Sequence, residues 1–259
     1  MLRVEAISKT FSKGSPNERL ALDNISFFLE EGEFVTVIGG NGAGKSTLLN
    51  CISGMQSLDK GQIILDMQDI SFVPEYKRSD FIGRVFQDPL RGTAYNMSIS
   101  ENLSIAFAKG KRRGFSSAMK KSNINLFKER VSCLGLGLEN RMNQKVGLLS
   151  GGQRQAVTLL MATIIKPKLL LLDEHTAALD PATAKKVLQI TRQIVEQEKL
   201  CTIMVTHNMQ DALDYGKRTI MMNEGRIILD IKGKEREQMT IEKLIENFNV
   251  NNDRMILNK

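Results

Sequence analysis

The pattern of apolar and polar positions predicts strands at the start of the chain and a strand–loop–helix segment directly after them. Residues Leu2 to Leu29 alternate apolar and polar side chains, interrupted by the polar loop Ser12 to Asn17, and such alternation is typical of strands. Phe34 to Ile38 is a short apolar run that ends in glycines, and a helical stretch follows from Lys45 through Cys51. This part of the chain therefore predicts β structure, then a glycine loop between a strand and a helix.

The middle of the chain alternates between strand-like and helical segments. Phe81 to Phe86 predicts a strand, and the periodicity from about Ile99 to Ile165 is mostly helical. Leu169 to Leu172 and Cys201 to Val205 are apolar runs of the kind found in buried parallel strands. Pro181 begins a helix between these two runs, at a position that proline favours. Strands that alternate with helices in this way predict an α/β fold.

Two further elements are predicted near the C-terminus. Arg218 to Leu229 is typical of a hairpin that turns around Asn223 to Gly225. The tail from Lys232 predicts one amphipathic helix, near Ile241 to Phe248. The chain shows no repeat, long linker or low-complexity tract, so we expect a single domain over residues 1–259.

Composition narrows the class of protein. The 259 residues suffice for one α/β domain with an inserted subdomain, and 42% hydrophobic with 25% charged residues is ordinary for a globular protein. No apolar run approaches the roughly 20 residues needed to span a bilayer, and the N-terminal residues Met1 to Glu5 lack the long apolar core that is typical of a signal peptide. The widely spaced Cys51, Cys133 and Cys201 predict neither a disulfide framework nor a metal site. We expect a cytosolic protein.

The net charge of +7 is partly local, because basic residues cluster in Lys109 to Arg113 and at Lys120 and Lys121. Basic surfaces often bind nucleic acid or anionic lipid. No aromatic side chains are interleaved with these lysines, which argues against a stacking platform for single-stranded nucleic acid. A solvated loop and attraction to a membrane surface both remain open for this basic segment.

The segment Gly39 to Ser46 has the complete pattern of a phosphate-binding loop, G-x-x-x-x-G-K-S. Its glycines let successive backbone N–H groups point at phosphate oxygens, which side chains would crowd. Lys45 places a cation on the β- and γ-phosphates, and Ser46 offers a hydroxyl to Mg²⁺. The strand before it and the helix after it favour this interpretation over a glycine-rich turn.

Two carboxylates follow the apolar run Leu169 to Leu172. Asp173 ends the predicted strand, where it can hold the coordination shell of Mg²⁺, and Glu174 follows it. Adjacent acidic residues at a strand end also occur in solvated loops and helix caps. Four leucines before them and a phosphate-binding loop upstream favour the catalytic interpretation.

The third segment is Leu149 to Gln155. Ser150 at a helix start with Gln153 three residues later forms a capping box. A capping box does not explain Gly151 and Gly152, because glycine costs about 1 kcal/mol in a helix interior. Close approach of an anion to the helix N-terminus would explain them, since free N–H groups and the helix dipole favour negative charge there.

These three segments, in this order, resemble the ATP-binding subunits of ABC transporters, from about Phe11 to the C-terminus. The resemblance implies an α/β fold with a P-loop NTPase core, an antiparallel β subdomain, and a helical subdomain inserted at about residues 88–165. It implies ATP and Mg²⁺ as cofactors. It also implies a head-to-tail dimer, because the Ser150–Gln153 segment of one subunit meets the γ-phosphate of ATP held by the other.

The resemblance assigns roles to individual residues. Glu174 becomes the general base, His207 the switch histidine, and Gln87 a sensor of Mg²⁺ and water. The implied nucleotide-binding residues are Phe11, which stacks on adenine, then Gly39, Gly40, Asn41, Gly42, Ala43, Gly44, Lys45, Ser46, Thr47, Ser150, Gly151, Gly152, Gln153 and Asp180. The implied Mg²⁺-binding residues are Ser46, Gln87 and Asp173.

Several of these residues also have simpler interpretations, which remain open. Phe11 would equally suit a hydrophobic core, Asp180 a helix cap before Pro181, and His207 an exposed strand end. His175 departs from the family pattern, because many members carry proline directly after the catalytic glutamate. Its role is left open.

The sequence favours the ATPase of a membrane transporter over other classes with the same motifs. DNA-repair ATPases interrupt the domain with a long coiled coil, for which no heptads occur here, and translation ATPases carry two cassettes in one chain. A P-loop kinase has no use for Leu149 to Gln153. Gln155 to Thr163 and Asp173 to Pro181 resemble the ATPases of tryptophan and tyrosine uptake systems, and an exporter is the alternative.

That resemblance also implies partners and a location. The partners are transmembrane permease subunits, which Gln87 and Arg91 to Met97 would meet, a second ATPase subunit, and indirectly an extracytoplasmic substrate-binding protein. Nucleic acid is not expected as a partner. The implied location is the cytoplasmic face of the cell membrane.

Overall fold

The structure, a computed structural model, describes residues 1–109 and 121–248. The chain forms two compact units. The first unit combines Met1–Arg78 with Cys201–Lys259, and the second is Ser79–Leu200. Most of the basic segment predicted between Lys109 and Lys121 lies outside the described residues. Among the helices that are described, none combines the length and the apolar character that crossing a membrane requires.

The described helices and strands include the predicted elements in their predicted order, together with elements that were not predicted. In chain order they are β1 (Leu2–Phe11), β2 (Arg19–Leu29), β3 (Phe34–Gly39), α1 (Lys45–Ser53), β4 (Lys60–Leu65), β5 (Gln68–Asp69), α2 (Glu75–Arg78), β6 (Ile82–Val85), α3 (Ile99–Ala108), α4 (Lys121–Ser132), α5 (Gly151–Thr163), β7 (Leu169–Asp173), α6 (Pro181–Glu198), β8 (Cys201–Val205), α7 (Met209–Tyr215), β9 (Arg218–Asn223), β10 (Arg226–Lys232) and α8 (Gly233–Glu237). Residues 241–248 are also helical.

The first unit contains two groups of paired strands. One is antiparallel, in the order β2-β1-β4-β5, with Leu2 opposite both Leu29 and Leu65. In the other, β3 pairs in parallel with both β8 and β9, and β9 forms a hairpin with β10. β3 lies between two strands. Its residues Phe34 to Ile38 are all buried, as in strands of a sheet that is covered on both faces.

The C-terminal helical residues close the core of the first unit. Leu244 is fully buried in a cluster with Ile38, Met221 and Ile231, and Phe248 packs against that cluster. One helical face of the tail therefore covers the strands next to β3, which is the physical basis of its amphipathic pattern.

In the described residues of the second unit, a parallel strand pair is joined to four α-helices. β6 and β7 pair in parallel, with Ile82 opposite Leu169 and Val85 opposite Leu172. Leu169 to Leu172 are completely buried, as an uninterrupted apolar strand requires. The two strands end at the same edge, and the loops that follow them carry candidate residues.

Most predicted elements are confirmed, and three differences have physical reasons. The tail from Lys232 contains a second helix, α8, which was not predicted. It is too short to show periodicity, and its Arg236 holds it by donating to the carbonyls of Ala212, Leu213 and Gly216. Residues 133–150, in a region predicted as mostly helical, form turns and two short 3₁₀ segments. β4, β5, α2 and α7 had no prediction.

Candidate functional site

The phosphate-binding loop of the first unit joins the end of β3 to the start of α1. Gly39 and Gly44 both have φ in the left-handed region, 151° and 99°, which favours glycine. A Cβ atom would overlap the carbonyl oxygen of Met222 at Gly39, and would lie 2.5 Å from the carbonyl oxygen of Ala21 at Gly44. Gly44 caps α1 without a side-chain hydrogen bond, so the first N–H groups of this helix suit an anion.

The Lys45 side chain lies over this loop. Its residue is 6% exposed, and its Nζ donates to the carbonyls of Gly39 at 2.9 Å and Gly40 at 3.0 Å. Ser46 and Thr47 follow it in the first turn of α1. The loop thus holds a buried cation beside the backbone that would enclose a phosphate.

Arg19, the first residue of β2, contacts this loop, and the sequence analysis missed it. It stands directly opposite Phe11 in the pairing of β1 with β2, and its Nη2 donates to the carbonyl of Gly42 at 2.8 Å. Phe11 is only half-buried, which does not suit a core phenylalanine. Arg19 is therefore the residue that links the candidate adenine-stacking position to the phosphate-binding loop.

His207 lies at the same edge of the first unit as the phosphate-binding loop. β3 and β8 are parallel, with Val37 opposite Val205, so the loops that follow them leave the sheet on one side. His207 is exposed, and the next residue, Asn208, caps α7 by accepting from the N–H groups of Gln210 and Asp211. This placement agrees with a switch histidine and also with a surface residue.

In the second unit, Asp173 has a cationic neighbour that the sequence did not reveal. The Nη2 of Arg84, in β6, lies 3.2 Å from Asp173 Oδ2, and the two side chains are 10% and 13% exposed. The Arg84 guanidinium also lies 4.7 Å from the ring centroid of Phe86. The ion pair holds the Asp173 carboxylate at a fixed place at the end of β7.

The oxygen atoms near this strand end suit Mg²⁺. Asp173 ends β7 and Gln87 follows β6, the parallel partner of β7, so both lie toward the same edge. They offer the carboxylate and amide oxygens that Mg²⁺ binds. Within residues 1–109 and 121–248, no group of three or more His, Cys, Asp or Glu residues could hold a metal ion. Asp173 and Gln87 could supply part of a coordination shell for Mg²⁺, an ion that also binds water and phosphate oxygens.

Glu174 begins a tight loop that leads to α6. Its φ of 45° is unusual for a residue with a side chain. Its carbonyl accepts from the N–H of Ala177 at 3.0 Å.

The loop ends at the exposed Asp180, which caps α6 by accepting from the N–H of Thr183 at 3.0 Å. Hydrogen bonds from the side chain and the backbone N–H of Thr183 lower the pKa of Asp180. Asp180 is thus the helix cap that one interpretation of the sequence predicted, and its carboxylate remains exposed at the surface.

His175 follows Glu174 and points into the second unit. The residue is 2% exposed, and its Nε2 lies 3.1 Å from the hydroxyl oxygen of Thr191 in α6. Burial lowers the pKa of His175 to about 4, so the imidazole is neutral near pH 7.

The Ser150 segment forms the predicted capping box at the start of α5. Ser150 accepts from the N–H of Gln153, whose side chain accepts from the N–H of Ser150. A Cβ atom at Gly152 would overlap Cγ2 of Thr183, and one at Gly151 would lie 3.0 Å from Cδ2 of Leu179. The glycines therefore have a packing reason within the unit that the sequence did not reveal, and they also leave the helix N-terminus uncovered.

The structure divides the candidate residues between the two units. The first unit holds Phe11, the loop Gly39 to Thr47, and His207, together with the unpredicted Arg19. The second unit holds the other predicted residues, which are Gln87, Ser150, Gly151, Gly152, Gln153, Asp173, Glu174 and Asp180, together with the unpredicted Arg84.

Comparisons with known proteins agree with this arrangement of motifs. The sequence profile of the ABC transporter family matches residues 22–177. The chain is 46% identical over 250 residues to the tyrosine transport ATP-binding protein of Clostridioides difficile (strain R20291), an alignment that covers 96% of this chain and 98% of that relative.

Solved structures share the fold over nearly the whole chain. The dimeric ATP-binding cassette MJ0796, in a post-hydrolysis state bound to ADP and Pi, is 30% identical with a TM-score of 0.75, and the match covers 90% of this chain and 98% of that one. The protein cbiO1 from Clostridium perfringens, part of the ABC transporter complex cbiONQ, is 26% identical with a TM-score of 0.76 over 98% and 96%. The predicted α/β cassette fold is confirmed.

Proposed function

This chain belongs to the ABC transporter family as an ATP-binding, ATP-hydrolysing subunit, and on that premise we propose that it drives a separate permease that imports an aromatic amino acid. The observation that carries this proposal is the 46% identity, over almost the full length of both chains, to a tyrosine transport ATP-binding protein. The segments Gln155 to Thr163 and Asp173 to Pro181 support the same assignment.

We propose that the chemistry is phosphoryl transfer to water, with Glu174 as the general base. Lys45 and the N–H groups of the loop Gly39 to Thr47 hold the phosphates, and Phe11 stacks on the adenine. Ser46, Gln87 and Asp173 hold Mg²⁺, which neutralises charge on the phosphates when it is bound. His207 contacts the γ-phosphate and the attacking water.

The same proposal covers the assembly. Two copies pair head to tail, so that Ser150, Gly151, Gly152, Gln153 and Asp180 of one copy complete the nucleotide site of the other. The dimeric cassette MJ0796, with ADP and Pi, supports this arrangement. Residues 1–259 form a single domain, with a helical subdomain at about residues 88–165. This domain lies at the cytoplasmic face of the membrane, against permease subunits. An extracytoplasmic binding protein delivers the substrate to the permease.

The catalytic part of the proposal is tested by removing the base alone. We expect Glu174→Gln to retain ATP binding and to lose nearly all hydrolysis, because the amide keeps the shape of the carboxylate and cannot accept the proton. Lys45→Ala is the matched control, and it should weaken nucleotide binding itself because it deletes the cation on the phosphates. Hydrolysis by Glu174→Gln within a few-fold of the unsubstituted chain would remove Glu174 from this role.

The transport part is tested on the complex of this chain with its permease in lipid. ATP hydrolysis should rise when a binding protein loaded with tyrosine or tryptophan is added, because closure of the cassettes on ATP is then coupled to opening of the permease. The unloaded binding protein is the control. Stimulation by a lipid, peptide or drug without any binding protein would instead favour an exporter.

A further inference from the structure

The loop of residues 174–180, here called the base loop, joins β7 to α6 and carries the proposed base at one end and the interface residue Asp180 at the other. Of its seven residues, all of them described, only His175 is buried. Two turns hold its backbone, since Ala177 N–H donates to the carbonyl of Glu174 and Leu179 N–H donates to that of Thr176, at 3.0 and 3.1 Å. The His175 side chain is thus the part of the base loop that enters the core of its unit.

The hydrogen bond from His175 to α6 has a defined direction. The Thr191 hydroxyl lies 2.9 Å from the carbonyl oxygen of Val187, which can only accept, so the single hydroxyl hydrogen points there. The hydroxyl oxygen must then accept from His175, whose Nε2 is 3.1 Å away. The proton of the neutral imidazole is therefore on Nε2, and the histidine acts as a donor to α6.

We propose that His175 is a positioning residue, whose hydrogen bond to Thr191 fixes the base loop on α6 and thereby places the Glu174 carboxylate. This inference rests on the proposed role of Glu174 as general base. Glu174 has a φ of 45°, a conformation that a residue with a side chain keeps only where its surroundings impose it. The residue before it is anchored in β7 and the residue after it is anchored on α6, so Glu174 is held from both sides.

A histidine that only filled space would have different consequences. An apolar side chain of similar size at position 175 would then serve as well, and the loss of the Thr191 hydroxyl would change stability without changing the rate of the chemical step. A positioning role instead requires that hydrolysis depends on the hydrogen bond itself. The rate and the Michaelis constant for ATP therefore distinguish the two roles.

The experiment removes the acceptor and then restores it. Thr191→Val leaves the His175 donor without its acceptor, whereas Thr191→Ser keeps a hydroxyl at the same place. We expect Thr191→Val to lower kcat for ATP hydrolysis about 10- to 100-fold, the loss that a displacement of about 1 Å at a reacting group causes. KM for ATP should change by less than about two-fold, because the phosphate-binding loop is untouched. Thr191→Ser should retain kcat within about three-fold.

His175→Leu should lower kcat to a similar extent, and adding Thr191→Val to it should lower kcat no further, because the two residues form one interaction. Thr163→Val is the matched control. It removes a threonine that makes the same type of bond in α5, to the carbonyl of Leu159 at 2.9 Å, and it should leave kcat unchanged. The thermal unfolding of each variant is measured in parallel.

Three results would overturn the inference. The first is a folded Thr191→Val variant whose kcat stays within about two-fold of that of the unsubstituted chain. The second is a Thr191→Ser variant that loses as much kcat as Thr191→Val does. The third is a Thr163→Val variant that loses as much kcat as Thr191→Val does. Glu174→Gln is measured beside them. If it is inactive while the His175 and Thr191 variants hydrolyse ATP normally, only the positioning role fails, whereas an active Glu174→Gln overturns the proposed base and the positioning role together.

Discussion

The three cysteines of this chain have the same chemistry and different surroundings. Burial raises the pKa of the Cys51 thiol to about 11 and that of the Cys201 thiol to about 12, whereas Cys133 is exposed. The thiolate is the reactive form of cysteine. A raised pKa therefore adds to burial in protecting Cys51 and Cys201 from reagents.

We expect one thiol of the three to react rapidly with a disulfide reagent in the folded protein at pH 8. The pKa of Cys51 lies about three units above that pH, so only about one Cys51 side chain in a thousand would be a thiolate. The thiolate fraction of Cys201 would be smaller still, because its pKa is higher. The release of the coloured leaving group measures the number of fast thiols. Cys133→Ser should abolish the fast phase, and denaturant should make the two remaining thiols reactive. Two or three fast thiols in the folded chain would contradict the assignment.

Single residues show where prediction from the sequence ends. Candidate roles for Lys45 and Ser150 could be predicted because each depends on neighbours within a few positions, and the structure contains the predicted capping box of Ser150. Arg19 reaches the carbonyl of Gly42 across 23 positions, and Arg84 pairs with Asp173 across 89 positions. Contacts of that kind depend on strand register, and no local pattern encodes them.

At the scale of elements, α3 and α5 begin in the same way. Ser98 and Glu101 form a capping box at the start of α3, as Ser150 and Gln153 do at the start of α5. The two boxes satisfy backbone N–H groups by the same geometry. They differ in what surrounds them, because only the box of α5 is followed by two glycines that leave the helix N-terminus open to an anion.

The two caps therefore form a matched pair for experiment. We expect Ser98→Ala and Ser150→Ala each to lower the free energy of unfolding by about 1 kcal/mol, measured by urea denaturation without nucleotide. Only Ser150→Ala should also lower ATP hydrolysis, by about 10- to 100-fold, because a hydrogen bond to a charged group contributes about 1.5–3 kcal/mol. Equal losses of hydrolysis in both variants would mean that Ser150 acts only as a cap.

Elements were predictable where periodicity or a motif extends over enough residues. The apolar run of β7 and the hairpin of β9 and β10 carry their own signals. α8 does not, because its five residues are ordered by bonds from Arg236 to distant carbonyls. Gly152 is an intermediate case. The sequence indicated that a glycine in this helix position requires an explanation. Only the structure shows that part of the explanation is packing inside the unit, because Thr183 lies against Gly152.

At the scale of the whole molecule, the chain carries two different candidate sites for phosphate. The loop at Lys45 lies in the first unit and the helix start at Ser150 lies in the second. In the proposed head-to-tail dimer each ATP uses the loop of one copy and the helix start of the other. A two-fold axis repeats this contact, so that two equivalent nucleotide sites form.

Mixing two inactive variants tests this arrangement directly. Lys45→Ala removes the phosphate-binding cation and Ser150→Arg blocks the helix start, so each variant alone should lack hydrolysis. A mixed dimer contains one site with both residues intact. Equal amounts of the two chains give mixed dimers in half of the population, each with half of its sites intact, so hydrolysis should return to about a quarter of that of the unsubstituted chain if the sites are independent.

The control for this mixture pairs the Lys45→Ala chain with a chain that carries both Lys45→Ala and Ser150→Arg. No nucleotide site of that mixture contains an intact Lys45, so it should remain inactive even though its dimers are equally mixed. Two affinity tags purified in series establish that mixed dimers form in both cases. If the first mixture stays as inactive as this control, the sites are not shared between copies. The helix start at Ser150 would then serve a nucleotide on its own chain, or none, and the head-to-tail dimer would have to be abandoned.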